Sequence, residues 1–154
     1  MKMNDILGIR NTPIDVVKSY LQAWQERDLP KLLFSMQGTF RSQFTAMRVS
    51  QMFFMNQISE FKVIEERIPD RGTSSVVQRD VIVDIAFMRT LDNKAVVQPT
   101  KRYRVVVNCE KFGGKPNANG VMLPAYVPSP NGFWGVYPTD TFREVAIGDN
   151  ETVH

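Results

Sequence analysis

Apolar residues recur with a helical period through the first third of the chain and with a period of two from about Phe61 onward. In "TPIDVVKSYLQAWQERD", residues 12 to 28, Ile14, Val17, Leu21 and Trp24 fall on one stripe at about 100° per residue, with Tyr20 at its border. Asp15, Lys18, Ser19, Gln22 and Glu26 cover the opposite side, so this helix packs by one face. Thr12 reads as its N-cap, Pro13 takes the first helical position, where a missing N–H costs nothing, and Asp15 stands where a capping-box acid belongs. Asp28 reads as a second N-cap, ahead of a short helix with Leu29, Leu32, Leu33 and Met36 on its apolar face, ending near Gly38. A third helix is expected from Thr39 to about Gln57, with Phe40, Phe44 and Met47 at helical spacing.

The alternating part begins with "FKVIEERI", passes the turn-like "PDRGTSS", and continues in "VVQRDVIVDIAFMRTL" as one long strand. Val81, Val83, Ile85 and Phe87 share one face of it; Asp80, Ile82, Asp84, Ala86 and Met88 share the other. Asp92 and Asn93 offer a tight hairpin turn. The returning strand, about Val96 to Glu110, carries Tyr103, Val105, Val107 and Cys109 on one face and turns Arg102, Arg104, Asn108 and Glu110 to water. "KFGGKPNANG" reads as a mobile hairpin loop, "VMLPAYV" as a strand, "PSPNG" as a turn and "FWGVYPTDTFREVAI" as one or two closing strands. Helices first and antiparallel strands afterwards make an α+β fold, a strongly curved sheet with the N-terminal helices packed into its concave face. Residues 1–11 read as a flexible lead-in, 12–147 as a single domain and 148–154 as a frayed tail.

Composition changes this picture little. With 154 residues, 43% hydrophobic and 23% charged, the chain reads as one packed globule. The net charge of +3 is mildly basic, but the cations are scattered rather than striped, which argues against a nucleic-acid partner. The densest group, Lys101, Arg102 and Arg104, sits in a strand whose alternation sends two of them to solvent. Cys109 is the only cysteine and reads as an inert core thiol. "MKMNDILGIRN" holds no apolar run of signal-peptide or membrane-span length, so no direct membrane insertion is expected. The location is cytoplasmic if residue 1 is the native start and extracytoplasmic if a targeting segment was removed.

"TPIDVVKSYLQAWQERDLPKLLFSM", "EFKVIEERI" before "SSVVQRDVIVDIAFM", and the closing "GFWGVYPTDTFREV" together resemble the nuclear transport factor 2-like (NTF2-like) superfamily, the cystatin-like α+β cone, across roughly residues 12 to 146. The nearest resemblance is to small bacterial domains of unknown function in that superfamily. It implies a cone with an open end, which relatives use for isomerisation, dehydration, epoxide hydrolysis, cyclisation or protein binding; such a fold does not choose among them. It also implies that Tyr20 stands where ketosteroid-isomerase-type enzymes carry an oxyanion-stabilising tyrosine, while Phe44 occupies the place of their general base. "SPNGFWGVYPTDTFREV" is faintly similar to the closing strands of type IV secretion assembly proteins, whose periplasmic domain has this general shape.

Candidate chemistry is sparse. A general base is needed beside Tyr20, and Asp80 and Asp84 are the acids that share a strand face with apolar neighbours, where burial would raise a carboxyl pKa. The same acids can instead pair Arg79, Arg102 or Arg104. Arg79 and Asp80 point to opposite faces of a strand, so the arginine between acids of an epoxide-hydrolase site is not formed. The one histidine is His154, no ligand pair stands at metal spacing, and "FGGK" lacks the phosphate-loop pattern, so no metal or cofactor is expected. Tyr20, Trp24, Phe44, Tyr103, Phe133 and Trp134 either line a pocket for a small apolar ligand or fill the cone. The ligand-binding candidates are therefore Tyr20, Trp24, Phe44, Asp84, Tyr103 and Trp134. The reading favours a non-catalytic binding or assembly module, forming a homodimer through the outer sheet face with Ile82, Ala86 and Met88, with a protein or small apolar partner. Its alternatives are an isomerase, dehydratase or cyclase using Tyr20 with an acid such as Asp84, and a type IV secretion assembly-like domain.

Overall fold

The computed structural model describes residues 11–43, 45–69 and 76–138, together with the backbone of 143–145. Four helices precede the sheet: α1 (Pro13–Glu26), α2 (Leu29–Phe34), α3 (Gly38–Arg41) and α4 (Ala46–Phe53). In α1 the Thr12 hydroxyl accepts from the Asp15 N–H at 3.1 Å, and the helix closes at Arg27, whose left-handed φ of 57° turns the chain into α2. Its buried stripe is wider than the heptad spacing indicates and rotated toward Tyr20. Val16, Val17, Tyr20, Leu21, Ala23 and Trp24 are inside, whereas Ile14 is only half-buried. Tyr20 therefore lies in the centre of the packed face and not at its border.

Asp28 caps α2 through the Lys31 N–H, and Leu32 and Met36 enter the core. The expected third helix is two. Thr45 is a second N-cap, its hydroxyl accepting from Arg48 N–H at 3.1 Å, a local bond that starts a new helix at Ala46. Phe40 is consequently buried and Met47 is 72% exposed, so they do not share a face; Val49 and Phe53 are the core contacts of α4. Phe44 lies outside the described residues.

The strands are β1 (Gln57–Arg67), β2 (Gln78–Leu91), β3 (Lys94–Val97), β4 (Lys101–Pro116), β5 (Met122–Pro128), β6 (Phe133–Val136) and β7 (Arg143–Val145), in one curved antiparallel sheet. Two register shifts in β1, at Ile58/Glu60 and Val63/Glu65, add to the bend. Asp92 and Asn93 have φ of 51° and 63°, the two positive values that a type I′ hairpin between β2 and β3 requires. β4 is the hub and pairs with β2, β5, β6 and β7. Val81, Val83 and Ile85 of β2 and Val105 and Val107 of β4 face α1 and form the core with Val17, Tyr20 and Leu21. Each such side chain contributes about 1.5–3 kcal/mol by leaving water.

Three strand expectations change. The returning strand is interrupted at residues 98–100, which separate β3 from β4. Lys111–Pro116, expected in a mobile loop, continues β4 as far as a tight turn in which the Asn117 side chain accepts from the N–H groups of Asn119 and Val121. Asn108 and Glu110 do not face water: Glu110 is 9% exposed and both are hydrogen-bonded to the segment after α2. On the outer face of β2, Ile82 and Ala86 are already buried within this chain. Their cross-strand neighbours are Glu65, Arg104 and Glu60.

Candidate functional site

The segment between α2 and α3 is what builds the site. Ser35 to Gln37 lies beside β6, with Gln37 N–H donating to the Val136 carbonyl at 2.9 Å and Val136 N–H to the Ser35 carbonyl at 2.8 Å. At Gly135 the Gln37 backbone passes where a Cβ would stand, so this approach needs glycine. Gln37 is thereby brought over β4, where side-chain amides line up head to tail. Gln78 donates to Asn108 at 2.8 Å, Asn108 donates to Gln37 at 2.7 Å, and Gln37 donates to the Glu110 carboxylate at 3.2 Å. Glu110 also accepts from the Thr39 N–H and hydroxyl. Every bond in the series uses an amide in the orientation that the next one requires, which makes it a mutually supporting network.

Above this polar floor opens a cleft of about 760 Å³, within the range of ligand sites. Arg41 of α3 stands in its wall. One guanidinium nitrogen donates to the Tyr126 hydroxyl at 3.1 Å and another to the Leu33 carbonyl at 3.4 Å, and the group lies 5.8 Å from the ring centres of both Phe34 and Tyr126. Tyr126 in turn packs edge-on against Phe112, with ring centres 5.1 Å apart. Three rings of this cleft remain open to solvent: Phe34 is 80%, Phe112 60% and Phe133 52% exposed. Asn11 closes one side by a pair of 2.9 Å hydrogen bonds to the backbone of Trp134.

The sequence candidates are dispersed. Tyr20 is fully buried, edge-on to Trp24 and Phe53 at 6.2 and 5.8 Å, and burial holds its hydroxyl well above the ordinary tyrosine pKa. Trp24 and Tyr103 do come together, bridged by Phe87 at 5.5 and 6.0 Å, on the wall of a second cleft of about 600 Å³; the Trp24 indole N–H there donates to the Asn56 carbonyl. Asp84 lies on the opposite side of the sheet from Tyr20, held by Arg102 through bonds of 2.6 and 2.9 Å. Trp134 belongs to the Arg41 cleft and has Arg79 5.9 Å from its ring centre. Asp84 is therefore not beside Tyr20, where the isomerase alternative would place it.

Among the described residues, no group of three or more His, Cys, Asp or Glu side chains is placed to hold a metal ion, and no helix is long and apolar enough to cross a membrane. Arg41, Glu110, Phe34, Phe112 and Tyr126 were not singled out by the sequence. The one available signal was the density of glycine, proline and aromatic residues between Phe112 and Gly135. No family model matches the chain, and neither a curated protein nor a solved structure matches it.

Proposed function

We propose that this chain is a non-catalytic binding and assembly module of NTF2-like architecture that associates with copies of itself. The observation that carries the reading is the filled interior. Tyr20 is sealed by Trp24 and Phe53 at the place where a catalytic cone would need a hollow, and Asp84 is committed to Arg102 on the other face. A pocket enzyme must bring an acid or base within hydrogen-bond reach of a bound substrate, and the resemblance that points to Tyr20 provides no such partner there. Exposed aromatic side chains around a polar floor, by contrast, are what a binding surface presents. With Ile82 and Ala86 covered, self-association draws on other apolar surface, such as the exposed Val121, Met122 and Leu123 at the tip of the β4–β5 hairpin.

The test is a titration of isotope-labelled protein with 3-cyclohexenone, an unconjugated ketone of the kind such an isomerase would convert to its conjugated isomer, followed by NMR and by assay for turnover. The expected result is that the Tyr20 and Val17 resonances do not move and that no product forms. Turnover that disappears in Tyr20→Phe would overturn the reading. Light scattering across the micromolar range should show mass above that of one chain, and a strict monomer would remove the self-association.

A further inference from the structure

We propose that the Arg41 cleft binds an acidic peptide segment of a partner protein, one in which carboxylate side chains are interleaved with aromatic ones. This deepens the binding-module reading and rests on it. Arg41 is oriented by neutral groups only: the Tyr126 hydroxyl, the Leu33 carbonyl and two ring faces. These fix the plane of the guanidinium without compensating its charge, and no ion pair joins Arg41 to a carboxylate among the described residues. Two of the five guanidinium N–H groups are used by Leu33 and Tyr126, which leaves three for a carboxylate on a cation whose planar fork suits that ligand better than a lysine does.

The acid nearest at hand does not satisfy it. Glu110 is turned inward, its oxygens accepting from Thr39 and Gln37, so no ion pair joins it to Arg41 among the described residues. Lys111 adds a second positive charge to the lining. The lining thus sets two cations, Arg41 and Lys111, against the single inward-turned carboxylate of Glu110, beside the exposed rings of Phe34, Phe112 and Phe133, and the complementary surface is negative and aromatic. A second copy of this chain fits poorly, because a two-fold contact would set Arg41 and Lys111 against themselves. Strand addition is also disfavoured, since Pro124 and Pro128 of the adjacent β5 have no N–H to donate. Recognition is therefore through side chains.

The experiment titrates isotope-labelled protein with three model peptides: acetyl-Glu-Phe-Glu-Phe-amide, its Gln counterpart and its Lys counterpart. The Glu peptide should give saturable shifts at Arg41, Phe112, Phe133 and the Trp134 indole N–H, with the Gln peptide about tenfold weaker and the Lys peptide weaker still. Arg41→Gln should lower Glu-peptide affinity to the level of the Gln peptide, and Arg41→Lys should fall between. Because the peptide comparison is made on the unaltered chain, it holds even where a variant folds badly. Equal affinity for the Glu and Gln peptides would overturn the carboxylate assignment, as would shifts confined to another surface. Binding of 3-phenylpropionate as tight as the Glu peptide would assign a small aromatic acid instead. Loss of self-association in Arg41→Gln would give the surface to a second copy. Each of these results differs from entry or turnover at Tyr20, by which the module reading itself would fail.

Discussion

The Glu110 carboxylate accepts from the Thr39 backbone N–H at 3.1 Å and from the Thr39 hydroxyl at 2.7 Å, so a side chain of β4 caps a helix 71 residues earlier in the chain. Gln37, the N-cap by position, makes no capping bond of its own to α3. A four-residue helix has little stability of its own, and this carboxylate supplies the acceptor that its first turn lacks. The same helix carries Arg41, which places the cleft under the control of Glu110.

Replacing Glu110 by Ala leaves Thr39 and Gln37 donors without their acceptor in a buried place. The expected loss is about 2–3 kcal/mol of unfolding free energy in urea, with Glu110→Gln retaining part of it. The Arg41 and Tyr126 resonances should shift in both variants while those of Trp24 and Phe87 stay in place. Uniform shifts through the core would mean that the carboxylate holds the whole fold and not this corner.

Tyr20 makes an alkaline prediction. Burial raises its pKa in the folded chain, so the unfolded chain gives up this proton first, at a pH of about 10. The contribution is fully present below that value and is lost as pH rises toward the folded pKa. Urea midpoints should therefore decline above roughly pH 10, and Tyr20→Phe should remove part of the decline. Ultraviolet absorbance should show the phenolate of Tyr20 only together with unfolding. Its ionisation in a still-folded chain would reveal water access to the interior.

Much of the scaffold was legible because its signals are local. The Thr12 cap, the Asp28 break, the long alternation of β2 and the Asp92–Asn93 turn each depend on neighbours within a few positions. The cleft was not legible, because alternation states which residues share a face and says nothing of what later covers it. Glu110 and Asn108 were correctly placed opposite Val107 and Cys109, but the inference that they face water failed: Gln37 and Thr39 fold onto them from the far end of the sequence. Tyr20 and Asp84 were legible as residues and misleading as a pair, since a packed sheet stands between them.

The Asp84–Arg102 pair tests how much the outer face contributes. Both side chains are partly shielded, with 19% and 12% exposure, and the contact is bidentate. A double-mutant cycle with Asp84→Asn and Arg102→Gln should give a coupling of about 1 kcal/mol. Neither change should alter peptide binding at Arg41, which lies on different elements. A measurable effect there would connect the two regions through β4.

The turn at Asp92 and Asn93 allows a stabilising change. Asn tolerates positive φ, but Gly adopts it without the Cβ penalty, and Asp-Gly is a favoured type I′ pair. Asn93→Gly should stabilise the chain by a few tenths of a kcal/mol up to about 1 kcal/mol. A clear loss would show that the Asn93 side chain makes a contact the turn geometry does not require.

Gly38 and Tyr126 test the cleft from the side of packing. A Cβ on Gly38 would overlap the Tyr126 ring, so Gly38→Ala must push that ring away or shift α3. Overpacking of this kind costs about 1–3 kcal/mol. The ring also supplies an acceptor and a stacking face to Arg41, and its displacement should loosen the guanidinium and weaken Glu-peptide binding more than it lowers stability. In a Tyr126→Ala background the added methyl finds room, so the stability cost of Gly38→Ala should largely vanish while peptide binding stays weak. Urea denaturation and the peptide titration, run on the two single variants and the double, read these effects separately. Recovery of binding in the double variant would show that Arg41 needs space at that position and not the Tyr126 ring.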